Sequence, residues 1–250
     1  MFLNLILLIT CLIVLFPKNT WKKPLRGYPT ILAYHSVYLG LIVMVVFLHL
    51  LEVNILDGVI TDIIGMNFTS SILFIEDGVV HWFSQQWTPV LVYFFVFIYI
   101  GLYPFLLWFT ILYLIIVDER KAMRTFTYSL VGMYAIALPF YLFIPITNVY
   151  SYYGTSSALN MVLPSIEHVF YTTTTNNNCF PSLHVAMSLL LVKTVSSTNN
   201  KRFIYVTYFC AICVICSVIY LAIHWITDVI GGILLALGVF YLVQHFMKET

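Results

Sequence analysis

The chain has 250 residues, of which 62% are hydrophobic and only 8% charged, with eleven Lys and Arg against ten Asp and Glu and a net charge of +1. Its mean hydropathy is +0.98, far from the roughly 45–50% apolar and about 25% charged composition of a soluble domain. An ordinary soluble enzyme is excluded, and the near-neutral balance offers no basic surface to a nucleic-acid partner. What remains is an all-α polytopic membrane protein with room for six or seven crossings of ~20 apolar residues each.

Seven apolar stretches follow in chain order. Phe2 to Phe16 is short; no positive residue precedes it, and Lys18, Lys22, Lys23 and Arg26 follow it. That is the charge order of a retained anchor rather than a cleaved signal peptide. Residues 1–30 are therefore read as an anchor helix with a basic loop, and residues 31–250 as the core. The second stretch, Ile31 to Leu51, carries His35 and His49. After it, Val53, Leu56, Ile60, Ile63 and Ile64 recur near helical spacing, which predicts a helix lying in the interface or capping the bundle. Asn67-Phe68-Thr69 has the form of a glycosylation sequon. Pro89 to Val117 is long and holds Gly101 and Pro104, which predict a tilt or kink.

The fourth stretch is Phe126 to Pro145. A polar segment follows, rich in Tyr150, Tyr152, Tyr153, Thr172 to Thr175 and Asn176 to Asn178, and then come Ser182 to Val195, Phe203 to Ile223 and Trp225 to Phe246. No internal repeat of the kind that marks many transporters is evident.

Charge orders these stretches across the membrane. Every Lys and Arg falls in the first loop, the third loop (Arg120, Lys121, Arg124), the fifth loop (Lys193, Lys201, Arg202) or the tail (Lys248). These are alternate connections, as expected if they are cytoplasmic. The other loops hold only acidic charges, among them Glu52, Asp57, Glu76 and Glu167. Seven spans with the N-terminus outside and the C-terminus in the cytoplasm satisfy this pattern, and they place residues 146–181 on the non-cytoplasmic face of a cell membrane.

Chemistry gathers on that face. Residues 179–187 read CFPSLHVAM and residues 217–232 read SVIYLAIHWITDVIGG. Pro181 suits a helix entrance, the Ser182 hydroxyl can cap it, and the free N–H groups there favour an anion. On a helix, Asp228 would share a face with His224 and hold one imidazole nitrogen, leaving the other free. An antiparallel hairpin of the fifth and sixth stretches would bring His184 to the same level. Such a set can attack phosphorus with one imidazole while a second protonates the departing alkoxide.

FPSLHV and HWITDVIGG resemble the second and third signatures of the type 2 phosphatidic acid phosphatase superfamily, over about Phe126 to Phe246. The resemblance implies a six-helix catalytic core and a metal-independent membrane phosphatase or phosphotransferase, a hydrolase or transferase of lipid metabolism with no cofactor. It makes His224 the nucleophile, Asp228 its partner and His184 the acid, with Ser182 near the phosphate. The partner it implies is a lipid phosphate or phospholipid substrate.

Two features depart from that pattern. Residues 137–154 contain no Lys or Arg where the first signature, KxxxxxxRP, should lie, and the Ser-Arg that opens the third signature stands here as Ser217-Val218. Neutral groups would then hold the phosphate: Pro181 and Ser182 at the helix entrance, Asn178, Ser217, and tyrosines such as Tyr220. Neutral hydrogen bonds are roughly half as strong as charge-assisted ones, so a phosphodiester monoanion suits the site better than a monoester dianion. The FPSLH form is also similar to that of inositol phosphorylceramide synthase-like headgroup transferases, which makes transfer to an alcohol the alternative to hydrolysis. A non-catalytic relative and a channel or transporter built around His35 and His49 are the remaining readings.

Other features have plain readings. His35, His49 and His245 are read as structural. Two histidines and an aspartate could bind a metal, but the resemblance implies none. Cys210, Cys213 and Cys216 spread over a helix face with no fourth ligand nearby and are read as packing residues.

Overall fold

A computed structural model of the chain describes residues 2–17, 27–162 and 164–249; the cations Lys18, Lys22, Lys23 and Arg26 of the first loop lie outside the described residues. Regular structure among the described residues is helical: α1 (Phe2–Leu15), α2 (Tyr28–Leu51), α3 (Asp57–Ile64), α4 (Thr69–Glu76), α5 (Val79–Ser84), α6 (Pro89–Val96), α7 (Tyr103–Val117), α8 (Arg120–Phe143), α9 (Val149–Tyr152), α10 (Pro164–Phe170), α11 (Leu183–Ser196), α12 (Lys201–Tyr220) and α13 (Ile226–Glu249). Five helical runs are long and apolar enough to cross a bilayer: Tyr28–Ile64, Pro89–Val117, Arg120–Phe143, Lys201–Tyr220 and Ile226–Lys248. Ile6–Leu15 and Leu183–Ser196 are shorter apolar helices. The molecule is an all-α, multi-pass membrane bundle.

Two π-helical segments interrupt this pattern. Glu52–Leu56 joins α2 to α3, so the amphipathic run after Leu51 continues α2 through to Ile64 instead of forming a separate helix. Phe97–Leu102 joins α6 to α7. It lies where Gly101 and Pro104 predict a kink: Pro104 has no N–H to donate, and the turn before it widens.

α11 is the centre of the bundle, packed against α12, α13 and α8. Its residues Val185, Ala186, Leu190, Leu191 and Val195 are buried, as befits a helix that is apolar on more than one face. The fit at its start is close. A Cβ on Gly232 would come within 2.4 Å of the Ser182 carbonyl oxygen, and one on Gly231 within 2.5 Å of the Phe180 ring. These two glycines let α13 lie directly against the entrance of α11.

The helices alternate in direction, so their charged ends collect. Arg120 and Lys121 open α8, Lys201 and Arg202 open α12, Lys193 stands in the last turn of α11 and Lys248 in that of α13. His35 belongs to this end: it is fully buried, with Nε2 3.3 Å from Asp118 Oδ1, and Arg120 Nε donates to the same oxygen at 3.0 Å. Burial would raise the Asp118 carboxyl, but the hydrogen bonds from Arg120 and His35 outweigh it and hold its pKa below the usual range. The starts of α11 and α13 and the ends of α8 and α12 form the opposite pole.

Candidate active site

α12 ends at Tyr220, and the chain leaves it through Ala222, which takes the left-handed conformation (φ 56). His224 therefore sits in the turn before α13 and not on a helix, a correction to the shared-face expectation. The contact with Asp228 arises by another route. Asp228 lies in the first turn of α13 and reaches back, accepting the Trp225 N–H at 2.9 Å and standing 3.4 Å from His224 Nδ1. This is the acidic half of a capping box, in which the third helical residue satisfies the backbone N–H of the N-cap.

A second carboxylate secures the same helix start. Glu76, at the end of α4, accepts the N–H of Ile226 at 2.9 Å and of Thr227 at 2.5 Å. Three consecutive orphan amides at the positive end of α13 are thus held by two acidic side chains. Trp225, fully buried, donates its Nε1–H to the Thr147 carbonyl at 2.8 Å. The turn bearing His224 is pinned on each side.

α11 supplies the second imidazole. Ser182 caps this helix, its Oγ accepting from Val185 N–H at 3.5 Å, while its own N–H donates to the Asp228 carbonyl at 3.0 Å. Tyr141 donates its hydroxyl to the Pro181 carbonyl at 2.7 Å, tying the entrance to α8. His184, second residue of α11, then faces His224 with ring centroids 5.8 Å apart. The Tyr99 hydroxyl lies 3.1 Å from His184 Nε2 and 3.2 Å from Nδ1, with the rings 4.6 Å apart. Tyr99 comes from the π segment of residues 97–102, whose wider turn carries it into the bundle.

Both histidines open onto one cavity of about 250 Å³. Its lining includes Tyr99, Tyr103, Tyr134 and Tyr141, Asn148 and Asn178, Thr173 to Thr175, Cys179 and His49. His224 is 4% exposed and Asp228 0%. The Nε2 atom of His224 is buried with no hydrogen-bond partner, as is Asp228 Oδ1. One imidazole nitrogen is engaged and the other is free. No Lys or Arg is among the lining residues; Lys193, nine residues along α11 from His184, is about 14 Å away along the axis.

The residues expected at the site divide. His184, His224 and Asn178 line the cavity; Asp228, Ser182 and Pro181 stand behind it as supports. Ser217 and Tyr220 are not among the lining residues. The buried Ser217 hydroxyl donates to the Val214 carbonyl within α12, and Tyr220 Oη accepts the Thr88 N–H at 3.0 Å, at the connection between α5 and α6.

His49 differs from the expectation of a purely structural residue: it lines the cavity, with Nε2 3.0 Å from the Thr173 carbonyl oxygen and Nδ1 3.4 Å from Glu52. Tyr99, Glu52 and Glu76 went unnoticed as site residues in the sequence. An acidic residue beside an apolar run was the available signal for Glu52 and Glu76, whereas Tyr99 gave none among its aromatic neighbours.

Cys179, His224 and Asp228 are a set able to hold a metal, with ligand atoms within 4.8 Å of one another. Burial and the nearby Asp228 charge push the Cys179 thiol well above its ordinary pKa, so a metal would have to displace its proton. Cys210, Cys213 and Cys216 are free thiols, the first two buried and the third exposed. Asn67 is engaged, donating to Thr147 Oγ1 at 2.8 Å and accepting from Thr69 N–H at 2.9 Å.

Compared with known proteins, residues 69–242 match the model of a family described as the PAP2 superfamily, which covers more than two thirds of the chain. No curated protein and no solved structure matches the chain.

Proposed function

Because the chain belongs to the PAP2 superfamily, a family of phosphatase-type enzymes, we propose that it is an integral membrane enzyme that takes the phosphoryl group of a lipid phosphate, pyrophosphate or phosphodiester onto His224. The observation that carries this reading is the state of that imidazole: Nδ1 faces Asp228 at 3.4 Å, Nε2 is buried and unpartnered, and a second imidazole lies 5.8 Å away across the same cavity.

In the first step His224 Nε2 attacks phosphorus; a P–N bond forms, the P–O bond to the lipid alcohol breaks, and protonated His184 gives its proton to the leaving oxygen. Asp228 stabilises the charge that develops on the His224 ring. In the second step an oxygen nucleophile attacks the phosphohistidine, passes its proton to His184 and breaks the P–N bond. Tyr99 orients His184 throughout. The opening N–H groups of α11 supply donors to the phosphoryl oxygens. No metal takes part in this scheme.

Water as the second nucleophile makes the enzyme a phosphatase; a lipid alcohol or sugar hydroxyl makes it a headgroup transferase. The second reading is favoured by a cavity lined with neutral polar groups and no described Lys or Arg, which suits a phosphodiester monoanion. The site faces the non-cytoplasmic side in this account, and residues 31–250 act as one catalytic core behind the α1 anchor. Purified enzyme given a panel of lipid phosphates, pyrophosphates and phosphodiesters should release either free phosphate or a transferred headgroup. Turnover of none of them, with solute movement across liposomes instead, would replace the enzyme reading by transport.

A further inference from the structure

Two short helices, α4 and α5, form a hairpin that takes no part in the proposed reaction. It is strapped to the ends of three spans at the histidine pole. Before α4, the Phe68 N–H donates to the Pro145 carbonyl at 3.0 Å, and Thr69 Oγ1 accepts the Thr147 N–H at 2.8 Å, just beyond the end of α8. After α5, Trp87 Nε1–H donates to the Tyr220 carbonyl at 2.7 Å, at the end of α12. Between these straps Glu76 holds the opening amides of α13. The hairpin therefore lies at the depth where those spans leave the bilayer.

Its faces are sorted the wrong way for a loop bathed in water. Thr69, Ile72, Glu76 and Val80 are buried, whereas Phe74 is 91% exposed, Ile75 69%, Trp82 59% and Val79 47%. Exposed apolar side chains gathered on one short hairpin mark a contact with a partner or a membrane. A bilayer fits what surrounds them. An interfacial helix carries its apolar face at headgroup depth, and Trp is favoured there because its ring is apolar and its N–H is not. Exposed polar residues set that depth: Ser70 and Ser71 at one end, Gln85 and Gln86 at the other, and Asp77 at the turn, where a carboxylate in hydrocarbon would be costly. A second copy of the chain fits less well. Four partly exposed side chains, of at most ~250 Å² each, fall short of the roughly 800 Å² per partner that a stable interface buries. Attachment is by apolar burial alone, because no Lys or Arg lies between Gly27 and Glu119 to meet anionic headgroups.

We propose that the α4–α5 hairpin lies in the interfacial layer of the bilayer, with Phe74, Ile75, Val79 and Trp82 inserted among the lipids, and that Glu76 ties the His224 turn to that surface. Ile75, in the lipid, and Glu76, on the amides of Ile226 and Thr227, are consecutive residues of one helical turn. Losing the lipid contact at the first loosens the carboxylate at the second, and with it the start of α13.

The test uses the full chain in phosphatidylcholine vesicles whose acyl chains carry bromine either near the headgroup or near the chain ends. Bromine quenches indole fluorescence on contact, and the difference between wild type and Trp82→Phe isolates Trp82 from the other tryptophans. Trp82 should be quenched more by the shallow bromine than by the deep one. Quenching by neither, which would put water or a second copy of the chain against the ring, or stronger quenching by the deep bromine, would overturn the interfacial placement. Hydrogen exchange in the same vesicles reads the tie to the His224 turn. Phe74→Ser combined with Ile75→Ser alters side chains that are mostly exposed, so folding is not at stake. The pair should speed exchange of the Ile226 and Thr227 amides about three- to tenfold, the worth of one hydrogen bond, and leave α8 unchanged. Unchanged exchange at both amides, or an acceleration that α8 shares, would overturn the tie. Neither readout needs turnover, so failure here leaves the role of His224 standing.

Discussion

His224 and His184 are both imidazoles in one cavity, and their partners make them different. In the proposed scheme His224, with a carboxylate facing Nδ1 and a free Nε2, is the nucleophile, and His184, beside the Tyr99 hydroxyl, is the acid. Different losses follow. His224→Ala should abolish turnover of every substrate. His184→Gln should slow a lipid substrate by about 10²–10⁴-fold, the usual contribution of a general acid, and slow a nitrophenyl phosphate far less, since that leaving group departs without a proton. Equal losses on both substrates would remove the acid role from His184.

The elements carry a prediction of their own, because His224, the proposed nucleophile, is placed by a helix start and not by a helix face. Glu76 holds two amides at the opening of α13. Glu76→Ala should therefore lower stability by about 1–3 kcal/mol, seen as a lower midpoint of thermal unfolding, and reduce turnover along with it. An unchanged midpoint would show that the cap contributes nothing. Gly232→Ala tests the neighbouring contact: a methyl 2.4 Å from the Ser182 carbonyl must push α13 from α11, at an overpacking cost of about 1–3 kcal/mol. FPSLH and HWITD were legible because each is local: a cap, a histidine and a carboxylate within a few residues. Glu76, Tyr99, Glu52 and His49 were not, because their roles depend on two π segments and on loops that close over more than a hundred residues. The π segment of residues 97–102 follows from the N–H that Pro104 lacks, which hydrophobic periodicity does not register. Ser217 and Tyr220 are not among the cavity-lining residues; their hydroxyls bond within α12 and at the Thr88 N–H.

For the whole molecule, one asymmetry organises the rest. The described Lys and Arg residues gather at one pole of the bundle and the histidine pair at the other. Composition alone made the apolar helical bundle legible, since it is a property of long segments, and five of its helical runs are long enough to cross a bilayer. With the basic pole in the cytoplasm, a cysteine replacing Thr173 should react with an impermeant reagent on intact cells, and one replacing Ser197 only after permeabilisation, in a background lacking the exposed Cys216. The opposite pattern would invert the topology and place the cavity in the cytoplasm. The proposed site, with no Lys or Arg among its described lining residues, would work without the long-range attraction that usually draws phosphate esters to enzymes. Binding of a lipid phosphate there should depend little on salt.

The proposed mechanism requires a covalent bond to one nitrogen, Nε2 of His224. Enzyme mixed with substrate labelled at phosphorus and quenched within a turnover should yield a phosphoprotein that is stable to base and labile to acid, with the label on His224, and His224→Ala should yield none. Turnover without such an intermediate, or label that persists in His224→Ala, would contradict it.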